Sequence, residues 1–289
     1  MTKVVLDAVG GDHAPKEAVA GVAMAIQKGF VKPGELLLTG PQAAVAEALT
    51  AQPVLRELGL AARDFQIVDA PDVLTCDDSP TDAMRKKPRN SISVGIQLVK
   101  DGKAGSFISA GSTGTVVAAA TLGLRCLEGI RRPAIGALIH GEKNPFLVLD
   151  VVANPQPKPH HLAQYALMGA AYYKGAFGSS LPAGSEPKVG ILNIGSEELK
   201  GNPLVREARA MMKQMPIHFH GNVEGVEIFS GDCHVVVTDG FTGNVLLKVS
   251  EGCAEYLLRM AFGAMQKVGV ESGKIKQVMG EVMPRVETA

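Results

Sequence analysis

The residues of this chain best suited to chemistry sit in four short runs of Gly, Thr, Ser, Asn and Asp, each following an apolar, β-like run. They are Asp7-Ala-Val-Gly-Gly-Asp12, Ser109-Ala-Gly-Ser-Thr-Gly114, Asn193-Ile-Gly-Ser-Glu-Glu198 and Thr238-Asp-Gly-Phe-Thr-Gly-Asn244. A strand, a small-residue loop and a helix in succession turn backbone N–H groups toward an anion at the helix N-terminus. One such loop is weak evidence; four point to a site for phosphate or a phosphorylated ligand. In the second loop Gly111 and Gly114 permit close approach, and Ser109, Ser112 and Thr113 add hydroxyls. It is neither a Walker loop, since no Lys-Ser/Thr closes it, nor a G-x-G-x-x-G turn. A ligand-free strand-to-helix turn is the plainer alternative.

The other three loops carry different groups. Asp7, Gly10, Gly11 and Asp12 could bind a ligand or form a helix-capping turn, and neither these carboxylates nor His13 have metal-site spacing. Behind Asn193, Lys200 is a cation embedded in a glycine loop, as phosphate or a developing oxyanion requires. A solvated lysine is the bland reading. Asp239, Thr242, Gly243 and Asn244 stand at a helix start rich in hydrogen-bonding groups. The run Arg85-Lys-Lys-Pro-Arg89 could grip an acidic partner or a phosphate, or be a solvated loop. His160-His161, beside prolines, reads as a helix start, and no local Ser/His/Asp or Cys/His signature marks a covalent hydrolase.

Strand-like and helix-like runs alternate to position these loops. Strands are expected at Lys3–Ala8, Glu35–Thr39, Phe65–Asp69, Ser106–Ser109, Ala134–Ile139, Phe146–Val151, Lys188–Asn193, Ile217–His220 and His234–Thr238. Helices are expected at Glu17–Lys28, Ala43–Ala51, Ser91–Asp101, Thr115–Cys126, Pro159–Phe177, Pro203–Met215 and Val245–Val286, with a hairpin across Gly141–Pro145 and a surface loop at Gly178–Pro187. Such alternation favours an α/β protein with a mostly parallel sheet covered by helices, where ligands bind beyond the C-terminal strand ends. All four loops fall there, so one shared cleft is the economical arrangement.

Bulk composition narrows the class. A chain of 289 residues can bury a substantial core, as one α/β domain or two lobes. Lys+Arg and Asp+Glu balance at 29 each, so charge gives no sign of a nucleic-acid partner. With 4% aromatic residues and no Trp, base-stacking platforms are not expected either. Cys76, Cys126, Cys233 and Cys253 lack metal-ligand spacing and suit a reducing, cytoplasmic compartment. No signal peptide and no apolar run of transmembrane length is expected, and neither a metal nor a cofactor.

Taken in order, several segments resemble the PlsX family, the acyl-carrier-protein:phosphate acyltransferases of bacterial phospholipid synthesis. They are Leu6-Asp-Ala-Val-Gly-Gly-Asp-His-Ala-Pro15, Ala83-Met-Arg-Lys-Lys87, Ile108-Ser-Ala-Gly-Ser-Thr-Gly114, Gly190-Ile-Leu-Asn-Ile-Gly-Ser-Glu-Glu198, Lys200-Gly-Asn202, Gly221-Asn-Val-Glu224 and Val237-Thr-Asp-Gly-Phe-Thr-Gly-Asn-Val245. The resemblance implies an isocitrate/isopropylmalate-dehydrogenase-like α/β fold acting as a single catalytic domain over residues 1–289. It implies a homodimer that converts an acyl-carrier-protein thioester and inorganic phosphate into acyl phosphate. It also implies peripheral association with the inner face of the membrane, where a membrane-bound acyltransferase uses the product.

On that basis Lys200, Asn244 and Asn193 are the expected catalytic residues. The loops around Asp7–Asp12, Ser109–Gly114 and Asp239–Gly243 are expected to hold phosphate, and Arg85, Lys86 and Lys87 to meet the carrier protein. The helical stretch 245–286 mixes Leu, Met and Phe with Lys and Arg, which suits a membrane contact or a dimer interface. Two departures stand out: Ser112 where the family usually has Asn, and Val152-Ala-Asn154 where it has Gly-Ala-Asn. Family members also run on beyond the position of Ala289, into a closing strand region. The rival functions are a non-catalytic scaffold that binds acyl carrier protein, and a phosphotransacetylase-type enzyme using coenzyme A thioesters.

Overall fold

The structure, a computed structural model, describes residues 3–75, 78–271, 273–278 and 280. It divides into two compact units, residues 1–128 and 129–289. Cys76 and residues 272, 279 and 281–286 of the expected C-terminal helix lie outside the described residues.

The first unit is built on four parallel strands. β1 (Val4–Asp7), β2 (Leu36–Gly40), β3 (Gln66–Asp69) and β4 (Ser106–Ile108) lie in the order β3-β2-β1-β4. Parallel neighbours need crossover segments, and helices supply them: α1 (Lys16–Gln27), α2 (Gln42–Ala51), α3 (Pro53–Glu57), α4 (Pro80–Lys86) and α5 (Ser91–Lys100), with α6 (Thr113–Gly123) following β4. Strand periodicity sorts the core into two faces. Leu36 and Leu38 pack with Val19, Val22, Val45 and Leu49 of α1 and α2, whereas Leu37 and Val5 pack with Leu98 of α5.

The second unit holds five strands: β5 (Gly136–His140), β6 (Pro145–Leu149), β7 (Lys188–Asn193), β8 (His218–Glu224) and β9 (Val235–Val237), ordered β5-β6-β9-β7-β8. β5 and β6 form the expected antiparallel hairpin, and the other pairings are parallel. Helices α7 (Pro159–Phe177) and α8 (Pro203–Met212) cover one face, where Leu162, Tyr165 and Met212 meet Leu147, Ile191 and Val235. α9 (Gly240–Lys267) serves the other, its Leu246 and Leu247 packing against the cluster of Phe146, Val148 and Val236.

The architecture is therefore α/β with mostly parallel pairing, in two sheets rather than one. Several boundaries differ from expectation for local reasons. α4 takes in Arg85 and Lys86 of the basic run, because Ser79 caps it by accepting from the Asp82 N–H at 3.1 Å and Pro80 suits its first turn. β8 runs on to Glu224 because parallel pairing with β7 continues that far. α9 begins at Gly240, not Val245, because Asp239 caps it. No helix among the described residues is long and apolar enough to cross a membrane.

Leu162 is 1% exposed at the centre of the second unit's larger core. Truncating it leaves a cavity that the packed strands cannot collapse around. We expect Leu162→Ala to cost about 2–5 kcal/mol, read as a lowered urea midpoint with lost amide protection in β6, β7 and β9.

Candidate active site

In the first unit the chain winds from β1 to β2 and β3 on one side and returns to place β4 on the other. The strand order thus reverses between β1 and β4, where parallel sheets leave a crevice at the carboxyl ends. Register aligns Leu6 with Ile108, so the next residues, Asp7 and Ser109, stand side by side. The Ser109 hydroxyl donates to Asp7 Oδ2 at 2.7 Å, and the Gly111 N–H donates to Ser109 Oγ at 3.0 Å. Asp7 Oδ1 also accepts from the Val9 N–H at 3.1 Å. Two expected loops are thereby tied through one buried carboxylate. Gly10 is required here, since a Cβ would lie 2.8 Å from the Gly111 nitrogen and would strike the Asp7 carboxylate.

These loops line a cavity of about 400 Å³ together with Leu74, Thr75, Asp78 and Thr115. Gly11, Asp12, Ser112 and Thr113 all contribute to its wall, and Gly114 follows them into α6. Ser112 precedes that helix without a side-chain capping bond. The N–H groups of Thr113, Gly114 and Thr115 have no protein acceptor among the described residues. Such a terminus keeps its donors and its dipole available for an anion.

Asp78 is positioned by Lys87, whose ammonium donates to Asp78 Oδ2 at 2.6 Å and to the Val73 carbonyl at 2.9 Å. The Lys87 hydrogen bond, then the Thr75 N–H at 2.7 Å, hold the Asp78 carboxyl at a pKa of about 2. Lys87 is therefore held against Asp78 and the Val73 carbonyl, with its side chain 31% exposed. Arg85 and Lys86 remain largely exposed at the end of α4, 3.9 and 3.1 Å from Asp82.

In the second unit β9 lies between β6 and β7, so the segments after β6, β7 and β9 leave neighbouring strand ends. Asp239 caps α9, accepting from the N–H groups of Phe241 and Thr242 at 3.0 and 2.8 Å and from the Thr242 hydroxyl at 2.7 Å. The Gly240 N–H donates to the Asn154 carbonyl, and the Gly243 N–H to the Asp239 carbonyl, both at 2.9 Å. The first-turn backbone donors expected to meet an anion are thus already engaged within the protein. The half-buried Asn244 makes no side-chain hydrogen bond among the described residues, leaving its amide free.

Beneath this turn lies a carboxylate that sequence reasoning missed. Asp150 is fully buried and accepts from the N–H groups of Ile135, Val152, Ala153 and Asn154 and from the Asn154 amide, at 2.8–3.3 Å. Its only sequence signal is an aspartate ending the apolar run Phe146–Leu149. Gly240 and Gly243 of α9 pack directly on this segment, and a methyl at Gly243 would overlap the Asp150 carbonyl oxygen.

The loop after β7 carries Lys200, half-exposed, its ammonium 4.0 Å from Glu197. Asn193 braces both ends of that loop, accepting from the Ile194 N–H at 2.8 Å and donating to the Lys200 carbonyl at 3.1 Å. Gly201 closes it at φ +97°, tight against the Asn193 amide. Glu198 faces the other way, paired with Lys213 just past the end of α8 and with Arg209 within that helix, which hold its pKa at about 2.

A sequence model of the family described as "Fatty acid synthesis protein" matches residues 2–283. The chain is 44% identical over 259 residues to the phosphate acyltransferase of Heliobacterium modesticaldum, covering 89% of this chain and 73% of that protein. It is 39% identical to the phosphate acyltransferase of Desulforamulus reducens, covering 100% of this chain and 83% of the relative. Among solved structures it is similar to the EutD phosphotransacetylase from Staphylococcus aureus, with a TM-score of 0.57 and 18% identity over 88% of this chain and 82% of that one. A branched-chain phosphotransacylase from Enterococcus faecalis V583 gives a TM-score of 0.51 at 17% identity, over 86% and 83% of the two chains. At those identities the likeness is one of fold.

The Lys87–Asp78 pair sets a pH signature. Because the folded pKa of Asp78 lies below its ordinary 3.8, the pair's stabilisation is complete above that value and is lost as pH falls through about 2. In a carboxyl NMR titration Asp78 should titrate near 2, and in Lys87→Met it should climb toward 3.8.

Proposed function

This chain belongs to the PlsX family of phosphate acyltransferases, and we propose that it moves a fatty acyl group from an acyl-carrier-protein thioester to inorganic phosphate, releasing acyl phosphate. A phosphate oxygen attacks the thioester carbonyl carbon. The tetrahedral oxyanion then collapses, the carbon–sulfur bond breaks, and the carrier's thiol leaves with a proton. Phosphate is its own nucleophile, so the protein has to hold it, aim it and stabilise the oxyanion.

The observation that carries this reading is the open N-terminus of α6, whose first N–H groups lack a protein acceptor among the described residues and whose Thr113 and Thr115 line the cavity together with Asp7. These donors, with the hydroxyls of Ser109, Ser112 and Thr113, suit a phosphate. Asp7, Gly10, Gly11 and Asp12 shape the wall rather than attract the anion. Lys200 supplies positive charge and Asn244 its free amide, while Asn193 keeps one amide N–H beyond the one given to the Lys200 carbonyl. Asp239, Thr242 and Gly243 form the capped turn that presents Asn244. No metal or cofactor takes part in this scheme.

Arg85 and Lys86 offer exposed positive charge to the acidic carrier protein. On α9 the exposed Val245, Val249, Leu257 and Met260 suit a homodimer contact or the membrane surface, with Arg259 and Lys267 nearby. The reading is thus a cytoplasmic, peripherally membrane-associated homodimer with an isocitrate/isopropylmalate-dehydrogenase-like fold. It works as a single catalytic domain and hands its product to a membrane-bound acyltransferase.

A second reading follows from the likeness to phosphotransacylase structures: a coenzyme A thioester as acyl donor. Offering the protein acyl-carrier-protein and acyl-coenzyme A donors with phosphate separates the two. Phosphate-independent binding with no thioester loss would mark a scaffold instead. Lys200→Ala and Asn244→Ala should each slow acyl phosphate formation by about 10²–10³-fold without altering the oligomeric state. Near-normal rates in both would overturn the assignment.

A further inference from the structure

Lys200 has no rigid strand or helix beneath it; it rides on the loop 194–201 after β7. A flexible loop would scatter its ammonium over several ångströms, yet stabilising an oxyanion demands a fixed donor. The loop is instead held from the neighbouring strand. Asn222, in β8, donates its amide N–H to the Glu197 carbonyl at 2.7 Å and to the Ser196 carbonyl at 3.4 Å. Two residues on, Glu224 accepts from the Ser196 N–H at 3.0 Å. Both backbone groups of Ser196 are thereby clamped by one strand, while Asn193 of β7 braces the loop's ends.

We propose that Asn222 is a positioning residue for Lys200, gripping the loop from β8 so that the ammonium is held in one place. Asn222 is 8% exposed, and its Oδ1 has no hydrogen-bond partner among the described residues. Burying an amide with one end unpaired is unfavourable, so an apolar side chain would serve packing better. What an apolar side chain cannot do is donate to two loop carbonyls. Within the clamp the backbone folds tightly, and the Lys200 stem crosses Gly195, where a Cβ would lie 3.0 Å from Lys200 Cγ. The path from Asn222 to Lys200 is therefore short: amide to the Glu197 carbonyl, then the Lys200 N–H, which donates to that same carbonyl at 3.1 Å.

This inference rests on the catalytic reading of Lys200, and a double-mutant cycle separates the two. Acyl phosphate formation from acyl-carrier-protein and phosphate is measured for the intact chain, Asn222→Asp, Lys200→Ala and the double variant. Asn222→Asp is isosteric but places carboxylate oxygens against carbonyls. It should lower kcat by about 10- to 100-fold with little change in KM for the acyl donor, and amide exchange should quicken in residues 194–201. The double variant should be no slower than Lys200→Ala alone. If Asn222→Asp slows the Lys200→Ala enzyme as much as it slows the intact one, or leaves the intact rate unchanged, the inference is overturned and Lys200 keeps its role. A near-normal Lys200→Ala rate removes both. Should Asn222→Asp fail to fold, Asn222→Ala, which only deletes the donor, takes its place in the cycle.

Discussion

Parallel strands cannot be joined by a tight hairpin, so each crossover must leave its sheet at the carboxyl edge and return along a longer segment, in most cases here a helix. In both units of this chain that constraint collects the polar loops at strand ends. It also decides which loops become neighbours. β4 returns to the far side of β1, setting Ser109 against Asp7, while β9 inserts between β6 and β7 and sets three strand ends side by side. The loops need little structure of their own, because the register beneath them supplies it.

Helices α6 and α9 both begin in small-residue turns, yet their ends differ in electrostatic character. Asp239 places a carboxylate on the N-terminus of α9 and consumes two of its orphan donors. Ser112 does neither for α6. A carboxylate already seated at a helix start competes with any incoming anion for the same N–H groups and the same dipole. The N-terminus of α6 therefore keeps backbone donors that the α9 turn has already spent, while at α9 the Asn244 side chain is left without a partner among the described residues. The substitution of Ser112 for the family's usual Asn falls at this open end.

Polar side chains, buried and half-buried, repeatedly hold backbone segments rather than ligands here. Asp150 gathers the N–H groups of Val152, Ala153 and Asn154, and Asn154 in turn receives the Gly240 N–H of α9. Asn193, Asn222 and Glu224 hold the Lys200 loop, and Lys87 with Asp78 holds the segment around Thr75. Each replaces solvent for backbone groups that no helix or ladder satisfies. Val152 in place of the family's glycine sits in the Asp150 turn, where its N–H is bonded like its neighbours', so the turn closes with a branched side chain present.

Local pattern determined the alternation of strands and helices, the β5–β6 hairpin, the covered faces and the four polar loops, because apolar periodicity and Gly/Pro punctuation act over a few residues. The Ser79-Pro80 start of α4 is legible in kind, since a cap and a first-turn proline are local signals. Tertiary structure alone decided that there are two sheets, that Asp7 meets Ser109 across 102 positions of sequence, and that Asn222 reaches the Lys200 loop. It also decided that Lys87 pairs with Asp78 and that α9 caps itself. Those outcomes depend on strand order and on competition among donors and acceptors distant in sequence, and a linear pattern of residue types carries neither.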